Sequence, residues 1–255
     1  MKLLRLATLG FLSLSISLPV FSQTTATTPL RIVITGDSTV SNYNNPSNTL
    51  KGSTRGWGLY LQEQFKPGTV EVNNLAFPGG RSTKTFIKEG RWAKALAEKP
   101  DYIFIQFGHF DSHDPSKREA TDFATDYKAN LRRFIDDARA INATPILVTP
   151  MVRREFDARG KIVDAAPPSR PLSAYAKAMK EVAEEKKAAL IDLYAYSRAL
   201  AEKMGPAESL KLASNSSDGT HFNEKGARTM VALVIGGLPA ADPKLAAALM
   251  AKSPR

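Results

Sequence analysis

The chain has 255 residues, of which 43% are hydrophobic and 24% charged, and this globular balance argues against a disordered, coiled-coil or collagen-like protein. It contains no cysteine, which excludes a disulfide scaffold, a cysteine-ligated metal site and a cysteine nucleophile. The formal net charge of +10 leaves open an attraction for nucleic acid, an anionic membrane or an acidic polymer.

The first 22 residues have the pattern of an export signal. Lys2 and Arg5 precede an apolar run over residues 6–20, and small residues near Ser22 close the segment. Serines and a proline dilute the run, which favours a cleaved signal over a membrane anchor of about 20 apolar residues. Cleavage near Ser22 removes two cations and no acids, so we expect a mature protein of charge +8, periplasmic or secreted and without stable membrane association.

A polar lead-in over residues 23–29 is followed by alternating strand and helix patterns over 30–255, with no repeat or domain boundary. Compact apolar, β-rich runs predict five strands, over residues 31–35, 70–75, 101–107, 144–149 and 189–193. Apolar spacing predicts helices over residues 56–65, 91–98, 120–141, 171–187, 194–204 and 223–234. This alternation predicts a single α/β domain, with a parallel sheet covered by helices on both faces.

Ligands of open parallel sheets bind at the carboxyl ends of the strands, so the residues after each strand are the candidates for function. The first predicted strand leads into Gly36-Asp37-Ser38. A serine hydroxyl at this edge is a nucleophile if a base lies within hydrogen-bond reach. The same tripeptide also suits a simple turn.

The chain has three histidines, and His221 is the candidate base because it follows Asp218 by three positions on a predicted loop. This spacing lets the carboxylate bind one ring nitrogen while the other nitrogen faces a nucleophile. A structural Asp–His pair at a helix start is the alternative reading. Together, the Gly-Asp-Ser and Asp-x-x-His patterns are more specific than either one alone.

Six sequence blocks resemble those of a known family. They are Thr-Gly-Asp-Ser-Thr-Val (35–40), Asn-Leu-Ala-Phe-Pro-Gly-Gly-Arg-Ser (74–82), Glu-Gly-Arg-Trp (89–92), Gln-Phe-Gly-His-Phe-Asp (106–111), Val-Thr-Pro-Met-Val-Arg-Arg (148–154) and Asp-Gly-Thr-His-Phe-Asn (218–223). With them the sequence resembles the GDS(L)-type SGNH hydrolase superfamily and, within it, the rhamnogalacturonan acetylesterase family, over roughly residues 31–235. The resemblance implies a three-layer, flavodoxin-like SGNH hydrolase fold with a five-stranded parallel sheet. It also implies that Ser38 is the nucleophile and that Asp218 and His221 complete a triad.

The resemblance further implies an oxyanion hole formed by the backbone N–H groups of Ser38 and Gly80. The family's third donor is the Asn of a Gly-His-Asn-Asp block, where this chain has Phe110. Losing one such donor typically costs about a hundred- to a thousandfold in turnover. A slower esterase, a substitute donor and a decayed catalyst all remain open, and we favour a substitute donor or a retuned site.

Candidate substitute donors are His109, Ser112 and His113. The sequence around His113 is more typical of a solvated loop residue, and His109 fits better as a residue that orients other groups than as a base. His109 is also a candidate for substrate binding, together with Arg81 and Arg153. A guanidinium binds carboxylates through two hydrogen bonds, which suits a polymer that contains uronate, but each arginine could equally brace a loop. Stacking on sugar rings is a possible role for exposed aromatic residues, with Tyr43, Trp57 and Trp92 as candidates, and Trp57 also fits the core.

We therefore predict a serine esterase that removes acetyl groups from an acidic or pectin-like polysaccharide. No metal or organic cofactor and no nucleic-acid partner is expected, and the protein is expected to be a monomer. One alternative is a deacylase or acyltransferase acting on another ester. An alternative of a different class is a non-catalytic carbohydrate-binding protein on the same fold, suggested by Phe110.

Overall fold

A computed structural model describes residues 28–43, 53–79, 81–164 and 168–251. The predicted signal over residues 1–22 and most of the polar lead-in lie outside the described residues. Within the described ranges, no helix is long and apolar enough to cross a lipid bilayer.

The sheet has five strands, and all neighbouring pairs are parallel in the order β2-β1-β3-β4-β5. The strands are β1 (Leu30–Gly36), β2 (Val70–Asn74), β3 (Tyr102–Gln106), β4 (Thr144–Val148) and β5 (Ala189–Ile191). Each predicted strand is confirmed, with ends that shift by at most two residues. Because the chain moves from β1 outward to β2 and then back to β3 on the other side, the order reverses at β1. Ligands of doubly wound sheets bind at such a switch point.

Helices connect the strands. They are α1 (Thr83–Lys88), α2 (Arg91–Ala97), α3 (Asp126–Ala140), α4 (Leu172–Lys186), α5 (Leu193–Leu210), α6 (Glu224–Ala241) and α7 (Pro243–Ala246). The five helices predicted after residue 90 are present, but α3 begins at Asp126 instead of residue 120, and α5 and α6 extend six and seven residues beyond their predicted ends at 204 and 234. The sequence pattern does not predict the short helices α1 and α7. Asn223 is the N-cap of α6, because its side chain accepts a hydrogen bond from the N–H of Gly226 at 2.9 Å.

Two apolar clusters cover the two faces of the sheet. Successive side chains of a strand point to opposite faces. Accordingly, Ile32 and Ile34 join a cluster that contains Val234 of α6, whereas Val33 joins one that contains Phe134 of α3. The chain therefore has the predicted helix–sheet–helix layers.

The helix predicted over residues 56–65 is wrong, because this segment forms two short 3-10 turns, Trp57–Tyr60 and Gln62–Gln64. Tertiary contacts at its start explain the difference. The N–H of Gly56 donates to the Ser41 carbonyl at 3.2 Å, and the N–H of Trp57 donates to the Thr39 carbonyl at 3.1 Å. At its far end, Phe65 forms a bridge with Leu249. Anchoring at both ends overrides a periodic pattern too short to form an independent helix.

The first turn of α6 packs tightly against the segment that precedes it in the chain. A side chain at Gly226 would overlap the Leu212 carbonyl oxygen and the ring of Phe222. Gly236, in the same helix, faces open space. The two glycines are therefore matched in secondary structure and opposite in packing.

We predict that Gly226→Ala lowers the free energy of unfolding by roughly 1–3 kcal/mol, because the added methyl group forces neighbouring atoms apart. Gly236→Ala should raise it by about 0.5–1 kcal/mol, because alanine restricts the unfolded chain and favours helix. Denaturant unfolding of both variants tests this. Equal effects of the two substitutions would contradict the packing at the start of α6.

Candidate active site

Ser38 lies in a tight turn directly after β1. A side chain on Gly36 would lie 2.7 Å from the Gln106 carbonyl oxygen, so glycine permits the close approach of β1 to β3 at this end. The Tyr43 hydroxyl donates to the Ser38 carbonyl at 2.7 Å, and the Ser41 hydroxyl donates to the carbonyl of residue 37 at 2.8 Å. These bonds fix the turn, and Ser38 is 2% exposed.

A series of hydrogen bonds between buried polar side chains holds this turn against the core. Trp57 Nε1 donates to Gln106 Oε1 at 2.7 Å, and Gln106 Nε2 donates to Thr39 Oγ1 at 2.8 Å. The backbone and hydroxyl of Thr39 both donate to Asp37 Oδ1, at 2.9 and 2.7 Å. The second oxygen, Asp37 Oδ2, lies 3.4 Å from Nδ1 of the buried His109. This series of contacts thus connects the turn that carries Ser38 to the loop after β3.

The Asp37–His109 contact sets the charges in this part of the site. Burial acts to raise the pKa of Asp37, but the interactions with His109 and Thr39 outweigh it and hold the pKa below its usual value. Burial lowers the pKa of His109, despite the opposing attraction of Asp37. The position of His109 against Asp37 fits the orienting role suggested by the sequence.

The Asp218 carboxylate is held inside the loop that precedes α6. Its Oδ1 accepts the backbone N–H groups of Thr220 and His221, both at 2.8 Å, and its Oδ2 accepts the Ser214 hydroxyl at 2.8 Å. Partial burial acts to raise the pKa of Asp218, but these hydrogen bonds and His221 lower it to about 2. Asp218 is therefore ionised at neutral pH.

The loop brings His221 between Asp218 and Ser38. His221 Nδ1 lies 2.9 Å from Asp218 Oδ2, and Nε2 lies 2.9 Å from Ser38 Oγ. Because the carboxylate accepts the proton on Nδ1, the neutral imidazole presents Nε2 as an acceptor to the serine hydroxyl. The three residues predicted to form a triad thus lie in one continuous hydrogen-bonded chain. Such an arrangement can activate a serine for attack on a carbonyl.

The predicted oxyanion hole is described only in part. Gly80 lies outside the described residues, although the preceding segment runs beside the nucleophile turn, with the N–H of Phe77 donating to the Gly36 carbonyl at 3.0 Å. The half-buried Phe110 packs against His113, with ring centroids 4.8 Å apart.

Two of the three candidate substitute donors, Ser112 and His113, have partners within their own loop. The Ser112 hydroxyl donates to the His109 carbonyl at 3.0 Å, and His113 Nδ1 pairs with Glu119 at 2.9 Å. His113 has a side-chain exposure of 35%, in line with a solvated loop residue.

Arg81 and Arg153 both hold loops at this edge of the sheet. Arg81 pairs with Glu89 at 3.0 Å and donates to the carbonyls of Pro78 and Gly79. Arg153 Nη2 donates to the carbonyl of residue 109 at 2.9 Å and to the hydroxyl of residue 112 at 3.2 Å. These contacts give each arginine a bracing role, and substrate binding by either remains a prediction.

The prediction of exposed sugar platforms is wrong for Tyr43 and Trp92, and the alternative placement of Trp57 in the core is confirmed. Tyr43, Trp57 and Trp92 are 9%, 0% and 2% exposed, respectively. Each has a polar partner inside the protein, and Trp92 Nε1 donates to Asp137 at 2.9 Å. A tryptophan or tyrosine buried with its polar atom satisfied looks the same in the sequence as one on the surface.

Sequence reasoning also missed the roles of Gln106 and Thr39, whereas Arg154 has the loop-bracing role that the sequence leaves open for each arginine near the site. Gln106 and Thr39 link the nucleophile turn to the core, as described above. Arg154 is 6% exposed and donates to the carbonyls of Asp218 and His221. The available signal for Gln106 and Thr39 was their presence in the quoted blocks, 106–111 and 35–40, which also contain site residues.

Comparisons with known proteins identify the family and the fold. Residues 34–229 match the GDSL-like Lipase/Acylhydrolase family. The rhamnogalacturonan acetylesterase RhgT of Bacillus subtilis is 35% identical over 225 residues, which cover 82% of this chain and 90% of RhgT.

Two solved structures share the fold. The crystal structure of YxiM from Bacillus subtilis has a TM-score of 0.69 and 28% identity, covering 84% of this chain and 57% of that one. The second structure is a catalytic variant of Axe2, an acetylxylan esterase from Geobacillus stearothermophilus. It has a TM-score of 0.61 and 18% identity, and the match covers 82% of this chain and 94% of that one. The family match spans most of the chain and includes both ends of the Ser38–His221–Asp218 arrangement. The chain belongs to the GDSL-like lipase/acylhydrolase family.

Proposed function

We propose that this chain is a serine esterase that removes acetyl groups from an acidic, pectin-like polysaccharide. The observation that carries the proposal is the continuous chain of 2.9 Å contacts from Asp218 through His221 to Ser38. It supplies a nucleophile, a base and a group that orients the base, which are the parts required for ester cleavage through a covalent intermediate.

In the first half of the reaction, Ser38 Oγ attacks the acetyl carbonyl carbon while His221 Nε2 takes the hydroxyl proton. Asp218 stabilises the resulting imidazolium and keeps the ring in its orientation. The backbone N–H groups of Ser38 and Gly80 are the proposed donors to the developing oxyanion. When the tetrahedral intermediate collapses, the carbon–oxygen bond to the sugar breaks, and the imidazolium protonates the departing sugar oxygen.

The second half of the reaction releases acetate by the same groups. His221 takes a proton from a water molecule, whose oxygen attacks the acetyl carbon held on Ser38. Collapse of this second intermediate breaks the bond to Ser38 Oγ, and the imidazolium returns the proton to that oxygen. The enzyme is regenerated, and the products are acetate and the deacetylated sugar.

The substrate class rests on similarity and charge. RhgT, which shares 35% identity over most of both chains, carries the name of a rhamnogalacturonan acetylesterase. The positive net charge of this chain favours association with a uronate-bearing polyanion. The export pattern of residues 1–22 supports a place of action outside the cytoplasm, where such polymers occur. Arg81 and Arg153 are the proposed contacts for substrate carboxylates.

Ser38→Ala should abolish acetate release from acetylated pectin and from p-nitrophenyl acetate, because the attacking oxygen is gone. We expect a loss of at least about a thousandfold in kcat, with the unfolding midpoint little changed. Ser116→Ala, at an exposed serine in the loop after β3, is the matched control and should retain full activity. Acetate release by Ser38→Ala at the rate of the unsubstituted protein would exclude this mechanism.

Phe110→Asn should raise kcat, by up to about a hundredfold, because asparagine adds a side-chain donor beside the oxyanion position. The backbone there is held by bonds that do not use the Phe110 ring, including the N–H of Ser112 donating to the Gly108 carbonyl at 2.9 Å. Phe110→Leu, which removes the ring without adding a donor, is the control and should give no increase. A fall in kcat for Phe110→Asn would show instead that the site depends on the aromatic ring.

A further inference from the structure

Arg154 is a buried cation directly behind the Asp218–His221 loop. Its Nη2 donates to the Asp218 carbonyl at 3.0 Å and to the His221 carbonyl at 2.7 Å, and its backbone N–H donates to the Gly219 carbonyl at 2.7 Å. Its guanidinium also lies 4.2 Å from the centroid of the Phe222 ring. One residue in the loop after β4 therefore contacts residues 218, 219, 221 and 222, through its side chain and its backbone N–H.

This arrangement is energetically costly. Arg154 is 6% exposed, and its Nε and Nη1 atoms have no hydrogen-bond partner within the part of the chain that the structure describes. Burial lowers its pKa to about 10, even though Asp218 attracts the charge. Placing an incompletely paired cation in such surroundings costs free energy that an apolar side chain of similar size would not cost. The surroundings are mainly apolar and include Leu212 and Met230.

The two acceptors are the carbonyls of the residues whose side chains make the acid–base pair. The side chain of Asp218 already closes the loop from within, by accepting the N–H groups of Thr220 and His221. Arg154 adds an external attachment, which fixes both backbone positions relative to β4. A planar guanidinium holds two acceptors in a fixed relation, as the flexible ammonium group of lysine does not.

We propose, on the basis of the proposed esterase function, that Arg154 is a positioning residue. It holds the backbone of Asp218 and His221 in the register that places His221 Nε2 at 2.9 Å from Ser38 Oγ. It does not touch the substrate, so its effect is confined to the rate of the chemical steps and does not extend to substrate affinity.

The test is a kinetic double-mutant cycle with p-nitrophenyl acetate. Arg154→Met should lower kcat by about a hundredfold, the scale expected for misplacing a catalytic group by about 1 Å, with KM changed less than about twofold. In an Asp218→Asn background, the same substitution should lower kcat by less than about threefold, because the orientation it supports is already lost. Additive losses in kcat, or an effect mainly on KM, would overturn the proposal.

Two further variants separate positioning from loss of stability. Val182→Ala, in the buried face of α4, should lower the unfolding midpoint while leaving kcat unchanged at temperatures well below it. Arg154→Lys keeps the charge, should fold even if Arg154→Met does not, and should lower kcat by about tenfold because the fixed geometry is lost. Unchanged kcat in a folded Arg154→Lys variant would refute positioning by the guanidinium.

Different experimental results would contradict the proposed esterase function and the proposed role of Arg154. If the unsubstituted protein releases no acetate and Ser38 does not react with a fluorophosphonate probe, the esterase function itself is wrong, and the role of Arg154 that rests on it is wrong too. If the unsubstituted protein is active and the Arg154 variants retain its kcat, only the positioning role is wrong.

Discussion

The contact between Ser38 Oγ and His221 Nε2 is the constraint on which the account of this molecule depends. It joins residues 183 positions apart in the chain, at a separation of 2.9 Å. Proton transfer requires hydrogen-bond distance, and effective catalysis requires the groups to be held to within a fraction of an ångström. The parallel sheet meets this need by placing the end of β1 between its neighbours β2 and β3, beside the loops that follow them. The loop before α6 is then held against this edge.

Buried polar groups hold the two sides of that contact. On the serine side, a chain from Trp57 through Gln106 and Thr39 reaches Asp37. On the histidine side, Arg154 and the side chain of Asp218 secure the loop. Such groups are costly to bury, and they gain their hydrogen bonds only when the whole edge is assembled. The loops of the site are thus coupled to the core beneath them.

The strands and the three layers could be predicted because buried parallel strands leave compact apolar runs separated by helical patterns. The Ser38–His221–Asp218 arrangement could also be predicted, from two short motifs whose spacing has a chemical reason. The 3-10 turns at 57–64 could not be predicted, because they result from contacts with residues 39–41 and 249 that no local sequence pattern reveals. A long-range partner, Asp137, likewise receives the indole N–H of the buried Trp92, and no local pattern around Trp92 reveals it.

Phe110 stands where the sequence resemblance implies an asparagine donor, and the Ser38–His221–Asp218 hydrogen bonds are formed without it. The central claim is that Ser38 forms a covalent acetyl intermediate. The most direct measurement is acid quenching during turnover of p-nitrophenyl acetate, followed by peptide mass spectrometry. We expect an acetyl group on the peptide that contains Ser38 and none on that peptide in a Ser38→Ala variant. Acetate release by the unsubstituted protein with acetylation confined to other residues would contradict it.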